Sequence, residues 1–353
     1  MTVDTMIKDA VTRRPAGLRL FQCFLRCDAA AAVKRLSSRY APALFVALLV
    51  AISFTTLGRP EFAQAQNQTQ AQNREQLLRE INAGQLQDAV LLGQRSVSRW
   101  PRDAQFRHYL GVAYFKSGDL KQAQEQIGRA RELNPKDYST RYDLGLVYLS
   151  QTDYAAAADE LNAAIKIDSS DALAHVLLGR AYLNSNRSLQ AIDEFKTALK
   201  IDPAIKLGHY HLGFAYFSLG RNDEAISEYM EELRRSGENA VVLYALGHSL
   251  VGSGKYEAAV TYLQHDTELD ADNPDVWYDL GKALALAGQS AKAEPALRKA
   301  AELSPKDPSP HYQLSRVLEK LGKTDEARSE LEVFSDLKKA QPASAGMATG
   351  RDH

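Results

Sequence analysis

The sequence predicts an all-α fold, a solenoid of tandem helix-turn-helix units, and two observations predict it. Glycines recur at Gly111, Gly145, Gly179, Gly213, Gly247 and Gly281, each 34 residues after the last, with Ser315 continuing the series. Within each period apolar residues fall twice at helical spacing, with a turn residue between the two runs. Counting each unit from seven residues before the glycine position gives seven units without a gap: 104–137, 138–171, 172–205, 206–239, 240–273, 274–307 and 308–341.

The first helix of each unit is marked by a leucine before the glycine (Leu110, Leu144, Leu178, Leu212, Leu246, Leu280, Leu314) and by Tyr114, Tyr148, Tyr182, Tyr216, Leu250, Leu284 and Leu318 three residues after it. These make an i, i+1, i+4 stripe on one helix face. A turn follows at Gly118, Gly220, Gly254, Gly288 and Gly322, with Thr152 and Asn186 in the other two units. The second helix carries Ala123, Ala157, Ala191, Ala225, Ala259, Ala293 and Ala327, and four residues later Ile127, Leu161, Phe195, Tyr229, Leu263, Leu297 and Leu331. Pro135, Pro203 and Pro305 end three second helices, because proline lacks an N–H and has a fixed φ. Glycine inside a helix costs about 1 kcal/mol relative to alanine, so its recurrence implies close helix–helix approach. One hairpin cannot bury its apolar face alone, whereas a stack makes one continuous core.

These columns resemble the tetratricopeptide repeat family, with its W-x2-L-G-x2-Y, A-x3-F and P pattern. The match is fullest at Trp277, Leu280, Gly281 and Pro305, and at Leu212, Gly213, Tyr216 and Ala225. The resemblance covers residues 104–341 and implies a right-handed superhelix whose first helices line a concave groove. A degenerate capping unit is expected at 70–103, with Leu77, Gly84, Ala89 and Pro101 in register and Gly93 as a departure. Units four and five depart differently. The small column of Ala130, Ala164, Ala198 and Ala300 holds Glu232 and Asp266 there, and Gly237 and Ala271 replace the terminal proline. A lone buried carboxylate is costly, so both side chains are expected to reach solvent or partners, at a frayed helix end or a softer joint.

A second face of the first helices is also patterned. Unit position 5 reads His108, Tyr142, Val176, Tyr210, Tyr244, Tyr278 and Tyr312, so the tetrapeptide YDLG occurs at Tyr142–Gly145 and again at Tyr278–Gly281. Position 12 contributes Phe115 and Phe217, and position 9 contributes Arg180, Phe214, His248, Lys282 and Arg316. Packing between first helices explains this face in one reading, and a peptide-binding aromatic groove in the other. The resemblance implies that these are ligand-facing positions. The lysine, asparagine and arginine clamp that the family uses for acidic C-terminal peptides is not evident. A peptide with apolar side chains suits the first four units, with acidic groups over Lys282 and Arg316.

Residues 41–57, APALFVALLVAISFTTL, are uncharged, with Lys34, Arg35 and Arg39 upstream and Ala63 and Ala65 in an A-x-A arrangement downstream. That order reads as an export leader over 1–65, either a cleaved signal peptide that leaves a body starting at Gln66 or an uncleaved anchor, with a buried helix as the alternative. Residues 66–73 read as a polar spacer and 342–353 as a disordered tail. The repeats are then exported, periplasmic or membrane-anchored outside the cytoplasm, with membrane contact only through an uncleaved N-terminal segment.

Composition bounds the rest. The chain has 353 residues, 45% of them hydrophobic, and only two cysteines, Cys23 and Cys27, which excludes a disulfide scaffold and a Cys-rich metal site. Residues 66–353 carry a net charge of −6 without a basic stripe, which argues against nucleic acid. No HExxH, GxSxG or phosphate loop occurs, and His108, His209, His211 and His248 share no familiar ligand spacing and read as ordinary surface or edge histidines. Neither an enzyme nor a cofactor is expected. The function expected is a scaffold for protein or peptide partners in the cell envelope, the alternatives being an accessory module for polymer export and a glycan-binding or weakly enzymatic protein.

Overall fold

The structure, a computed structural model, describes residues 67–340. The apolar run 41–57, the A-x-A arrangement and the tail 342–353 lie outside the described residues. The chain divides after Gln76 into two compact units. In the first, the described residues are helical; the second, from Leu77, holds the array.

The helices pair as the 34-residue register predicts. In the capping pair, Leu77 and Ile81 of α1 (67–82) share a buried cluster with Ala89 of α2 (Leu86–Arg99). Units one to three hold α3 (Ala104–Lys116) with α4 (Leu120–Leu133), α5 (Tyr138–Ser150) with α6 (Tyr154–Ile165), and α7 (Ala172–Asn184) with α8 (Ser188–Ile201). Units four and five hold α9 (Gly208–Ser218) with α10 (Asn222–Ser236), and α11 (Ala240–Gly252) with α12 (Tyr256–Leu269). Units six and seven hold α13 (Pro274–Leu286) with α14 (Ser290–Leu303), and α15 (Pro308–Lys320) with α16 (Thr324–Ala340). Residues 67–73, expected as a spacer, are helical instead. They lack apolar periodicity, but glutamine and alanine are good helix formers and no glycine or proline interrupts them.

Local chemistry sets the boundaries. Asp103, Asp137, Asp171, Asn239, Asn273 and Asp307 each accept a backbone N–H at the start of a first helix. The second helices α4, α8 and α14 end at Leu133, Ile201 and Leu303, two residues before Pro135, Pro203 and Pro305. The turns between paired helices use positive φ, and where glycine is missing Thr152 and Asn186 adopt it, at 60° and 58°.

The glycine column sits at the helix crossing within each unit. A Cβ on Gly111 would lie 2.3 Å from Ile127. On Gly145, Gly179, Gly213, Gly247 and Gly281 it would lie 2.5 to 2.7 Å from Leu161, Phe195, Tyr229, Leu263 and Leu297. The large apolar side chain of the second helix therefore occupies the space that glycine vacates. Those large residues are fully buried from Ile127 to Leu297, whereas Leu331 in the last unit, where Ser315 stands in the glycine column, is 44% exposed. Gly93 in the capping pair plays a related part, making room for Leu110 of α3.

Each first helix packs on its own second helix, and each second helix on the next first helix. Successive first helices also touch one another, from α3 and α5 through α13 and α15, and among the described residues second helices do not do so to that extent. First helices thus crowd one side of the stack, the side on which the tyrosine column was expected. No described helix is long and apolar enough to cross a membrane.

Candidate functional site: an aromatic and acidic groove

The first helices of units four and five bring a run of rings together. Tyr210 lies 6.4 Å from Phe214, Phe214 lies 6.5 Å from Phe217, and Phe217 lies 5.4 Å from His248 across the unit boundary. His248 in turn lies 5.8 Å from Tyr244. These five side chains and Tyr278 line a cavity of about 1290 Å³ that reaches from α7 to the start of α15. Tyr210, Tyr244 and Tyr278 are half-buried in its wall. Tyr210 also packs on Tyr229 at 5.9 Å, and burial raises both phenols above their ordinary range.

Six of the expected groove residues therefore share one cavity: Tyr210, Phe214, Phe217, Tyr244, His248 and Tyr278. The other six lie elsewhere. Tyr142 stacks on Tyr138 at 5.8 Å, and burial with the nearby Asp171 charge raises it to about 12. Phe115 packs against the small core of Ala123, Ile127, Leu144 and Val147. Tyr312 is 40% exposed against Phe334, with Arg316 over its ring at 5.9 Å. Arg180 and Arg316 are exposed, Lys282 is half-buried, and none of the three lines the cavity. The basic character expected toward the C-terminus is thus absent from the cavity wall.

The wall is acidic instead. Asp266, Asp270, Asp275, Asp279 and Asp307 line it, without a lysine or arginine. Asp279, the aspartate of the second YDLG, accepts a hydrogen bond from His248 Nδ1 at 2.6 Å. That bond raises the imidazole above its ordinary value, against the opposite pull of desolvation. The first YDLG repeats the arrangement, with Asp143 2.6 Å from His108 Nε2 of the preceding unit. The aspartate in both tetrapeptides thus ties one first helix to the previous one.

Three further histidines, of which only His209 was among those expected as surface or edge residues, pair within their units: His175 with Glu194, His209 with Glu228 and His311 with Glu330, at 2.6, 2.7 and 2.6 Å. Arg107 with Gln126 and Arg141 with Glu160 occupy the same two positions in units one and two. Each pair is 19 residues apart, so this polar strut across the hairpin was present in the sequence as a covarying pair of columns. Leu243 with Tyr262 and Trp277 with Ala296 fill those positions in units five and six. His211 has a different environment. It stacks on Phe195 at 5.6 Å, and burial followed by the Arg180 charge pushes it down to about 4.

The two odd carboxylates of the small column are both buried, Glu232 at 2% and Asp266 at 0% exposure. Glu232 does find partners. Its Oε2 accepts the backbone N–H groups of His209 and Tyr210 at 3.1 and 3.3 Å, and Ser236 donates to Oε1 at 2.7 Å. Helix α9 needs this, because the capping column that holds Asp or Asn in the other units holds Ile205, and the residue before the helix, Leu207, offers no side-chain cap. Asp266, expected to reach solvent or a partner, does neither. Asn239 already caps α11 beside it, and both Asp266 carboxyl oxygens lack a hydrogen-bond partner. Desolvation, then the Asp270 charge, raises Asp266 to about 7.

Among the described residues no group of three or more His, Cys, Asp or Glu side chains is placed to hold a metal ion. Tetratricopeptide repeat models match residues 110–172, 176–240 and 244–308, and a second such model matches 284–346. Among curated proteins, none matches. A chain of the APC/C hetero-tetramer Cut9-Hcn1 is similar at 17% identity and a TM-score of 0.52, over 69% of this chain and 48% of that one. YrrB, a TPR protein with an unusual peptide-binding site, is similar at 22% identity and a TM-score of 0.47, over 52% of this chain and 94% of its own. MamA is similar at 26% identity and a TM-score of 0.45, over 46% and 97%. The first is a likeness of fold, and this chain spans about half the length of that relative. With the family models matching most of the array, the chain belongs to the tetratricopeptide repeat family, a noncatalytic class of repeat scaffold that binds peptides and proteins.

Proposed function

We propose that this scaffold holds an extended segment of a partner protein in the groove of units three to seven, and that it does so in the cell envelope. One observation carries the groove: the position-5 tyrosines of three successive units, Tyr210, Tyr244 and Tyr278, line one cavity of about 1290 Å³. A tyrosine wall of that kind supplies contact area with a polar tip at each 34-residue step, which suits an extended chain better than a compact ligand. The export side of the reading rests on the uncharged run 41–57, the basic residues Lys34, Arg35 and Arg39 before it and Ala63 and Ala65 after it.

Panning a random library of short peptides on the full chain tests the groove. Wild type and Tyr142→Ser, whose ring lies outside the cavity, should enrich the same peptides. Tyr244→Ser and Tyr278→Ser should lose them while circular dichroism still reports a folded array. Equal enrichment by all four proteins would reject the groove. For the export side, N-terminal sequencing of the protein from its native cells should begin at Gln66, or the intact chain should fractionate with membranes. A soluble cytoplasmic chain that retains residues 41–57 would sink that half of the reading.

A further inference from the structure

The groove has a floor that its walls do not explain. Of the carboxylates lining it, Asp279 is engaged by His248 and Asp307 accepts the backbone N–H of Ser309 at 2.9 Å. Asp266 has no such partner. Its side chain is 0% exposed, neither oxygen is hydrogen-bonded, and it lines the cavity. Ser249 lines the same cavity at 1% exposure, and its hydroxyl is likewise without a partner. A native fold rarely keeps two buried polar side chains of one cavity wall unsatisfied.

Packing does not require a carboxyl there. Units one, two, three and six place Ala130, Ala164, Ala198 and Ala300 at the position of Asp266, all fully buried. Helix capping does not require it either, since Asn239 accepts the Val242 N–H and thereby serves the end of α11. What remains is two unsatisfied acceptors, a carboxyl and a hydroxyl, in a cavity whose other carboxylates outnumber its one basic side chain, His248, itself held by Asp279, and whose sides are tyrosine. The complement of that chemistry is a cation with several N–H donors on an apolar stem.

Resting on the groove reading above, we propose that the occupant is a basic segment of a partner protein, one lysine or arginine of which reaches the floor at Asp266 and Ser249 while its stem packs against the tyrosine wall. The neighbouring Asp270 and Asp275 add a field of the same sign, which steers a basic segment in and repels an acidic one. Binding then supplies the partner that the folded chain withholds from Asp266, and the cost of burying that group is released in the complex.

The panned library tests this on the same samples. Peptides enriched by the wild-type chain should carry an excess of Lys and Arg over Asp and Glu, and changing their basic residues to Gln should weaken binding at least about tenfold by fluorescence anisotropy. Asp266→Asn should remove that preference while leaving the Gln versions bound as before. Asp266→Ala, the residue that four other units carry, serves if the asparagine variant fails to fold. Enriched peptides without a basic excess, or a basic preference that survives both substitutions, would overturn the proposal. If peptides are enriched through Tyr244 and Tyr278 but are neutral or acidic, the groove stands and only the charge assignment falls. If enrichment does not depend on those tyrosines, the groove reading itself falls.

Discussion

Units four and five place a carboxylate at the same position of the same hairpin, and the two carboxylates meet opposite fates. Glu232 closes on the bare N-terminus of α9, taking the place of the Asp or Asn that Ile205 displaces from the capping column. Asp266 faces a helix already capped by Asn239 and is left with two unpartnered oxygens in the groove. One acid repairs the stack and the other weakens it. A residue type in a repeat column therefore has no fixed meaning; the adjacent cap decides whether the carboxylate is structural or available to a ligand.

The comparison breaks most directly at Glu232. Glu232→Ala strands the N–H groups of His209 and Tyr210, and the array should lose about 3 kcal/mol, read as a fall in denaturant midpoint. A change within experimental error would mean that α9 does not depend on that cap. Asp266→Asn should act in the opposite direction, gaining about 2 kcal/mol at pH 7.5. Its folded pKa of about 7 lies above the ordinary value of 3.8, so folded and unfolded states are both protonated at low pH and nothing is lost there. As pH rises from about 4 to 7 the unfolded chain ionises first and stability falls, reaching its full loss above 7. The difference in melting temperature between Asp266→Asn and wild type should therefore grow over that window, and a constant difference would contradict the unpaired carboxyl.

A smaller effect sharpens the same contrast. Adding Ile205→Asp to Glu232→Ala restores an acceptor near the start of α9 and should recover about 1 kcal/mol of what the single change removes. No recovery would place the role of Glu232 elsewhere than capping. The smallest effect is a control outside both units. Thr152 is a β-branched residue held at φ 60°, where five of its six counterparts are glycine, and Thr152→Gly should gain roughly 0.5 kcal/mol. A loss there would mean that the threonine side chain contributes more than its backbone strain removes.

The fold was legible because its determinants are periodic. Gly111 to Gly281 stand 34 residues apart, and the side chains they make room for, Ile127 to Leu297, stand in a second column of the same period. Thr152 and Asn186 were placed in turns by register alone and do adopt positive φ. The Glu232 cap was also available, since Ile205 breaks the Asp/Asn column just before the unit where Glu232 replaces alanine. It needed the antiparallel hairpin to connect two columns that lie far apart in the unit. The groove was less legible. Tyr142 and Tyr278 stand in identical YDLG tetrapeptides, yet one stacks on Tyr138 a turn earlier in its own helix, where the other has Pro274 and lines the cavity. The acidic wall was missed for the same reason. Its members come from the end of one second helix and the starts of two first helices, and no single column contains them.

By itself the sequence determined the number of hairpins, their register, the glycine crossings and the family, because these depend on short-range periodicity that repeats often enough to exclude chance. Tertiary structure alone decided which tyrosines share a cavity, which acid is satisfied and what charge the groove presents. Those properties depend on which side chains of different units come within a few ångströms, and burial and pairing at that range set the energy of every polar group.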